Sequence, residues 1–129
     1  RVTDVESEFP TFNAGYAGRK NNVTYTACSV DNGANSFFNA ISRVTHDGNS
    51  TVVTLPAGYY GSEPLFAPSM DLNSEDDGYL LEVVYNGFQH QSELQIYRAD
   101  NINEQVCSAK LEHHVPHQFH GFFTGHTFQ

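Results

Sequence analysis

Basic residues are scarce in this chain. Six Lys and Arg stand against fifteen Asp and Glu, for a formal net charge of −9 over 129 residues, and a surface of that sign repels phosphate backbones. Nucleic acid is therefore excluded as an expected partner. Long apolar runs are also missing: the longest stretches, Tyr79-Leu80-Leu81 and then Val83-Val84-Tyr85, are strand-sized and far short of the ~20 residues of a membrane-spanning helix. The segment reads as soluble. Cysteine is limited to Cys28 and Cys107, far apart and without CxxC spacing. They either pair in a secreted protein or stay as two buried free thiols in a reducing compartment, the plainer reading. The chain opens on Arg1 without a charged and apolar leader, so it reads as a cut start with no signal peptide, favouring a cytoplasmic or plastid-type intracellular location over secretion. The sequons Asn22-Val23-Thr24 and Asn49-Ser50-Thr51 matter only in a secreted chain.

Helical periodicity is absent as well; no window of about 11 residues keeps apolar positions at i, i+3, i+4 and i+7. What remains is a series of short β-branched and aromatic runs separated by Ser, Thr, Asn and Gly. Strands are expected at 23–30, 37–45, 51–55, 79–86, 92–98 and 105–111, with weaker candidates at 63–67 and 119–124. In the fifth of these, Leu94, Ile96 and the stem of Arg98 alternate with Glu93, Gln95 and Tyr97, giving one preferred face. Asp31-Asn32-Gly33, His46-Asp47-Gly48-Asn49 and Asn86-Gly87 supply residues that tolerate positive φ between antiparallel neighbours. The class is all-β and antiparallel. Two four-stranded units joined by 56–78, which holds Pro56, Pro64, Pro68 and the acidic turn SEDDG, fit either two blades of a propeller or a small sandwich. A two-blade piece leaves sheet faces uncovered, so the propeller reading implies a larger molecule.

Residues 113–121, HHVPHQFHG, hold four histidines in nine positions, and imidazole suits zinc, copper, iron or nickel. Pro116 disfavours helix at Val115, so His113, His117 and His120 do not line one helical face. In an extended chain His113 and His114 point to opposite sides. At most one or two of the four can face a common centre. His113, His114 and His117 read as a polar loop over a sheet rim, whereas His120, between Phe119 and Gly121-Phe122, reads as buried and in need of a hydrogen-bond partner or a metal. Two carboxylates sit in locally uncharged surroundings, Glu8 before Phe9-Pro10 and Glu63 before Pro64-Leu65-Phe66. Each is either a buried acid with a partner, such as the free N–H of a metal-ligating histidine, or an exposed loop or capping residue.

The series SEFP (7–10), GRK (18–20), SEPLFAP (62–68), EDDGYLLEVVYN (75–86), SELQIYRA (92–99) and VPHQFHG (115–121) resembles, in order and spacing, the C-terminal part of the carotenoid cleavage oxygenases. That family includes apocarotenoid oxygenases, lignostilbene dioxygenases and the retinoid isomerohydrolase of the retinal pigment epithelium. The resemblance spans nearly the whole chain. It implies the last blades of a seven-bladed propeller, with residues 1–129 the C-terminal part of a single propeller domain whose upstream blades are missing.

The same resemblance implies a ferrous iron, Fe(2+), on the propeller axis, held by four histidines from different blades. Phe119-His120-Gly121 matches the motif of the last ligand, so the metal role falls on His120. Glu8 and Glu63 match the outer carboxylates, with Glu63 accepting from His120 and Glu8 orienting a ligand upstream. Phe119 and Phe122 become candidates for the wall of an apolar substrate tunnel. The implied partners are an apolar small molecule and dioxygen, and any membrane contact would fall to upstream regions. The implied reaction is oxidative cleavage of a conjugated double bond in a carotenoid or apocarotenoid to two carbonyl products. Alternatives on the same scaffold are cleavage of stilbene-type phenolics, isomerohydrolase chemistry, or a propeller used as a binding module without iron. One departure stands out: family members often carry Thr-Trp after His-Gly, where this chain has Phe122-Phe123 and no tryptophan anywhere.

Overall fold

Nine strands form two antiparallel sheets in the computed structural model, which describes residues 4–30, 37–71 and 73–126. The first sheet meanders in chain order through β1 (Glu6–Thr11), β2 (Val23–Ser29), β3 (Ala40–Thr45) and β4 (Ser50–Thr54). In the second, β7 (Gly78–Asn86), β8 (Gln91–Arg98) and β9 (Gln105–Lys110) again follow chain order, while β5 (Tyr59–Tyr60) and β6 (Leu65–Pro68) both pair with β7. The segment 56–78 is thus a connection that also contributes the edge of the second sheet.

The core forms between the two sheets. Val23, Tyr25 and Ile41 of the first pack against Phe66, Leu80 and Tyr97 of the second, joined by Ala99 and Ile102 from the loop after β8. The hydroxyl of Tyr25 donates across the interface to the Ala99 carbonyl at 3.0 Å, so the buried phenol keeps a partner. The SEDDG turn clasps the sheets together. Glu75 accepts from the Asn22 and Val23 amides at 2.7 and 2.9 Å, and Asp76 pairs with Arg43 on β3. A carboxylate on two free amides is a charge-assisted clamp, stronger than a neutral hydrogen bond.

β8 reverses its expected orientation. Glu93, Gln95 and Tyr97 face the buried interface, while Leu94, Ile96 and Arg98 are half-buried on the other side. The same holds on β7, where Glu82 and Asn86 are buried with Leu80 and Val84, and Leu81 and Val83 are less covered. Polar groups survive there because most find partners: Glu93 accepts from Ser108 at 2.9 Å, and Asn86 donates to Tyr59 at 2.7 Å.

Other expectations shift in detail. β1 was not legible: its charged, proline-bearing sequence ESEFPT is tolerated on a sheet edge. No strand forms at 119–124, because the Gly121 amide is taken by the Glu63 carboxylate at 2.8 Å and not by a ladder. The turn at 46–49 is present, with Gly48 at φ 90. In the β7–β8 connection the positive φ falls on His90, at 53, while the Asn86 side chain accepts the Phe88 and Gln89 amides. Asp31-Asn32-Gly33 lies outside the described residues. Both cysteines are free. Cys28 is buried, but Cys107 is exposed, because every residue of β9 faces solvent at the sheet edge.

Candidate metal centre

The tail after β9 crosses back over the second sheet without becoming a strand, held by individual side chains. Ser92 accepts the Val115 amide at 2.8 Å, and His117 stacks on Phe37 with ring centroids 4.4 Å apart. His114 stacks on His90 at 4.5 Å, and His90 in turn meets the Tyr85 hydroxyl through Nδ1. His113 is exposed on the loop. The histidines of the tract therefore diverge. His114 and His117 dock the tail on aromatic neighbours, and His120 goes elsewhere.

His120 Nδ1 lies 3.1 Å from Glu63 Oε1, and the other carboxyl oxygen accepts the Gly121 amide at 2.8 Å. Glu63 comes from the lead-in to β6, 57 positions earlier. A carboxylate oxygen accepts but does not donate, so Nδ1 carries the hydrogen in this pair. In a neutral ring Nε2 is then the lone-pair nitrogen, the tautomer in which a histidine ligates a metal. Glu63 is well covered, with 15% side-chain exposure, whereas His120 is 73% exposed. Within this chain few other groups flank the ring, since the tail lies on the face of the second sheet away from the core between the two sheets.

Those few include an aromatic residue of β1. The Phe9 ring lies 5.5 Å from the His120 ring at 80°, edge to face, and Phe119 lies 6.1 Å away. Phe9 has φ 52, a left-handed conformation that costs a bulky residue about 1–3 kcal/mol. Its neighbour Glu8 is exposed within this chain, on an edge strand opposite Ala27 of β2. Glu63, Phe9 and His120 meet although they come from two different sheets and the tail.

A small cleft of about 70 Å³ opens beside the ring, with Glu63, Leu65, Leu81, Val83, Leu94 and Phe119 in its wall. Ligand pockets run to ~300–1,000 Å³, so this is one corner of a larger space at most. Phe119 and Phe122 are 80% and 77% exposed, and Phe122 does not reach the cleft. Among the described residues no group of three or more His, Cys, Asp or Glu converges to hold a metal. The chain offers one oriented imidazole, which fits a single corner of a metal site.

Comparison with known proteins shows the family to which the chain belongs. The sequence model of the retinal pigment epithelial membrane protein family matches residues 1–125, and the apocarotenoid-15,15'-oxygenase of Synechocystis sp. is 32% identical over 116 residues. The chain belongs to the carotenoid cleavage oxygenase family. Within that family, a carotenoid dioxygenase of Gibberella fujikuroi is 32% identical over 114 residues, covering 81% of this chain and 16% of its own length. The cobalt-substituted Synechocystis ACO superposes with a TM-score of 0.86 at 30% identity, covering 92% of this chain and 25% of that one. The Synechocystis oxygenase match covers 88% of this chain and 24% of the relative, so this carotenoid cleavage oxygenase chain spans about a quarter of the length of its relative. Its two sheets are blades of the family's propeller, not a sandwich. Among the described residues no helix is long and apolar enough to cross a membrane.

Sequence reasoning missed Phe9. Its signal points the other way, since a residue before proline is biased toward extended backbone.

Proposed function

We propose that this chain supplies two blades and one metal ligand, His120, to a longer propeller enzyme that cleaves a conjugated double bond of a carotenoid or apocarotenoid. The observation that carries the reading is the grip of Glu63 on both the His120 ring and the Gly121 amide. It sets the tautomer and aims Nε2 away from the carboxylate. Three further imidazoles would come from other blades of the same domain. A ferrous iron in that setting supplies the redox chemistry by which dioxygen converts one carbon–carbon double bond into two carbonyls.

The work of this chain is orientation. Four neutral imidazoles leave the charge of a divalent ion uncompensated, and the Glu63 carboxylate places a negative charge one hydrogen bond away without using a coordination position. Leu65, Leu81, Val83 and Leu94 make the adjoining wall apolar, suited to a hydrocarbon chain and to the exclusion of water. Glu8, in the Glu-Phe-Pro motif, is assigned by the family resemblance to support a ligand from another blade.

Mass spectrometry of the products formed by the full-length protein from carotenoids, apocarotenoids and stilbene-type phenolics tests the reading. Paired carbonyl fragments of a carotenoid or apocarotenoid support it, and cleavage confined to phenolics or no cleavage overturns it. Glu63→Gln is expected to weaken iron affinity roughly 10 to 100-fold, the usual effect of removing a carboxylate behind a ligating histidine. An unchanged iron titration removes Glu63 from the site. The 129-residue chain alone is expected to be inactive, because one donor does not retain a catalytic ion; turnover by the purified chain with ferrous iron contradicts the assignment.

A further inference from the structure

We infer that Phe9 is a positioning residue for His120, fixing the swing of the imidazole that Glu63 leaves free; this rests on the reading of His120 as a metal ligand. A single hydrogen bond from Nδ1 sets one point of the ring. It does not stop rotation of the ring plane about the line from Nδ1 to the carboxylate. Within this chain the rings of Phe9 and Phe119 are the aromatic groups that flank that plane.

Phe9 acts along the missing direction. Its ring meets His120 at 5.5 Å and 80°, Phe119 at 6.1 Å and 81°, and Phe38 at 5.6 Å and 82°. Each contact is edge to face, the favoured arrangement for aromatic pairs. Phe38 lies just before β3, an inner strand of the same sheet as β1, so the Phe9 ring is buttressed by its own sheet while it meets the histidine.

The backbone supports this assignment. Pairing of β1 with β2 slips between Glu8 and Thr11, and inside that irregularity Phe9 takes φ 52 just before Pro10. A bulky residue in the left-handed region ahead of a proline is doubly disfavoured. Strain of that kind persists where surrounding structure enforces it, and it gathers at functional sites. Here it accompanies the edge-to-face contact of the Phe9 ring with the imidazole.

The test uses the metal-free full-length protein, titrated with ferrous iron and, separately, with cobalt(II), whose visible absorption reports ligand geometry. Phe9→Leu, which keeps apolar bulk without a ring edge, is expected to weaken both metals about tenfold and to alter the cobalt spectrum. Phe9→Tyr keeps the edge and is expected to restore wild-type affinity and spectrum. Phe9→Gly relieves the backbone conformation, so its melting temperature is expected to fall less than its affinity does. Wild-type affinity and an unaltered cobalt spectrum in both Phe9→Leu and Phe9→Gly overturn the positioning role. So do affinity losses that merely follow melting temperature across the three variants. His120→Ala is the control. If it loses metal while Phe9→Leu does not, the inference about Phe9 fails alone; if it binds metal as wild type does, the ligand assignment fails first.

Discussion

Replacing His120 with Ala in the full-length protein is expected to remove both the bound metal and cleavage activity, whereas His113→Ala and His117→Ala keep metal content near wild type. The three residues share a nine-residue tract but not a direction. His120 points Nδ1 at Glu63. His117 lies flat against Phe37 at 4.4 Å and meets the edge of Tyr85 at 5.9 Å, so its loss costs stacking that docks the tail. His113 is exposed. On the proposed reading, losing His120 removes one imidazole of four from the metal and leaves Glu63 without its ring partner. Losing a stacking histidine leaves the donor set intact. Metal quantitation on the three purified variants separates these outcomes, and equal depletion in all three would sink the assignment of His120.

The second large effect concerns Glu82, at the middle of β7 and 1% exposed. Neither carboxyl oxygen has a hydrogen-bond partner, and Gly61 beside it leaves the room that a side chain would fill. Burial pushes the carboxyl up to about 8. The same acid helps to raise the Tyr97 hydroxyl and the Cys28 thiol, both buried against the interface and shifted chiefly by their own desolvation.

The sign follows directly. The folded state holds this proton more tightly than the unfolded chain, whose glutamate titrates near 4.5. Stability from the protonated form is complete below pH 4.5 and is lost as pH rises from there through about 8. The whole effect is on the order of 3–5 kcal/mol. Glu82→Met, similar in length and without charge, is expected to remove this contribution to the pH slope and to stabilise the protein by a few kcal/mol at pH 8. Denaturant midpoints of both proteins at pH 5 and pH 8 give the answer. Parallel losses between the two pH values would show that Glu82 does not carry the slope.

The residues differ in how openly they declared themselves. Strands β2, β3, β7 and β8 were legible because β-branched and aromatic runs lie between Gly and Asn turns. β1 was not, since an edge strand tolerates the charge and proline that argue against a central one. The faces of β8 were misread for a definite reason. Alternation shows that two faces differ, but in a propeller blade both faces are packed, and the more polar face of β8 meets its neighbour through Glu93 and Gln95. Leu94 and Ile96 then face the other way, toward the tail. For the candidate centre, motif matching named His120 and Glu63, while the carboxylate shared by the ring and the Gly121 amide depends on where the tail crosses the second sheet, which no local pattern records. Phe9 was invisible because backbone handedness is a product of the bulge, not of the residue.

The grip of Glu63 on two adjacent groups of the tail has a consequence for the order of events in folding. The contact joins positions 57 and 58 residues apart, and such closures cost chain entropy that local hairpins avoid. The β7–β8 and β8–β9 hairpins are the nearer pairings and form the surface on which the tail settles. On the proposed reading, the imidazole geometry is expected to arise after the sheet is assembled, so that metal capture through this residue follows the hairpins on which the tail settles.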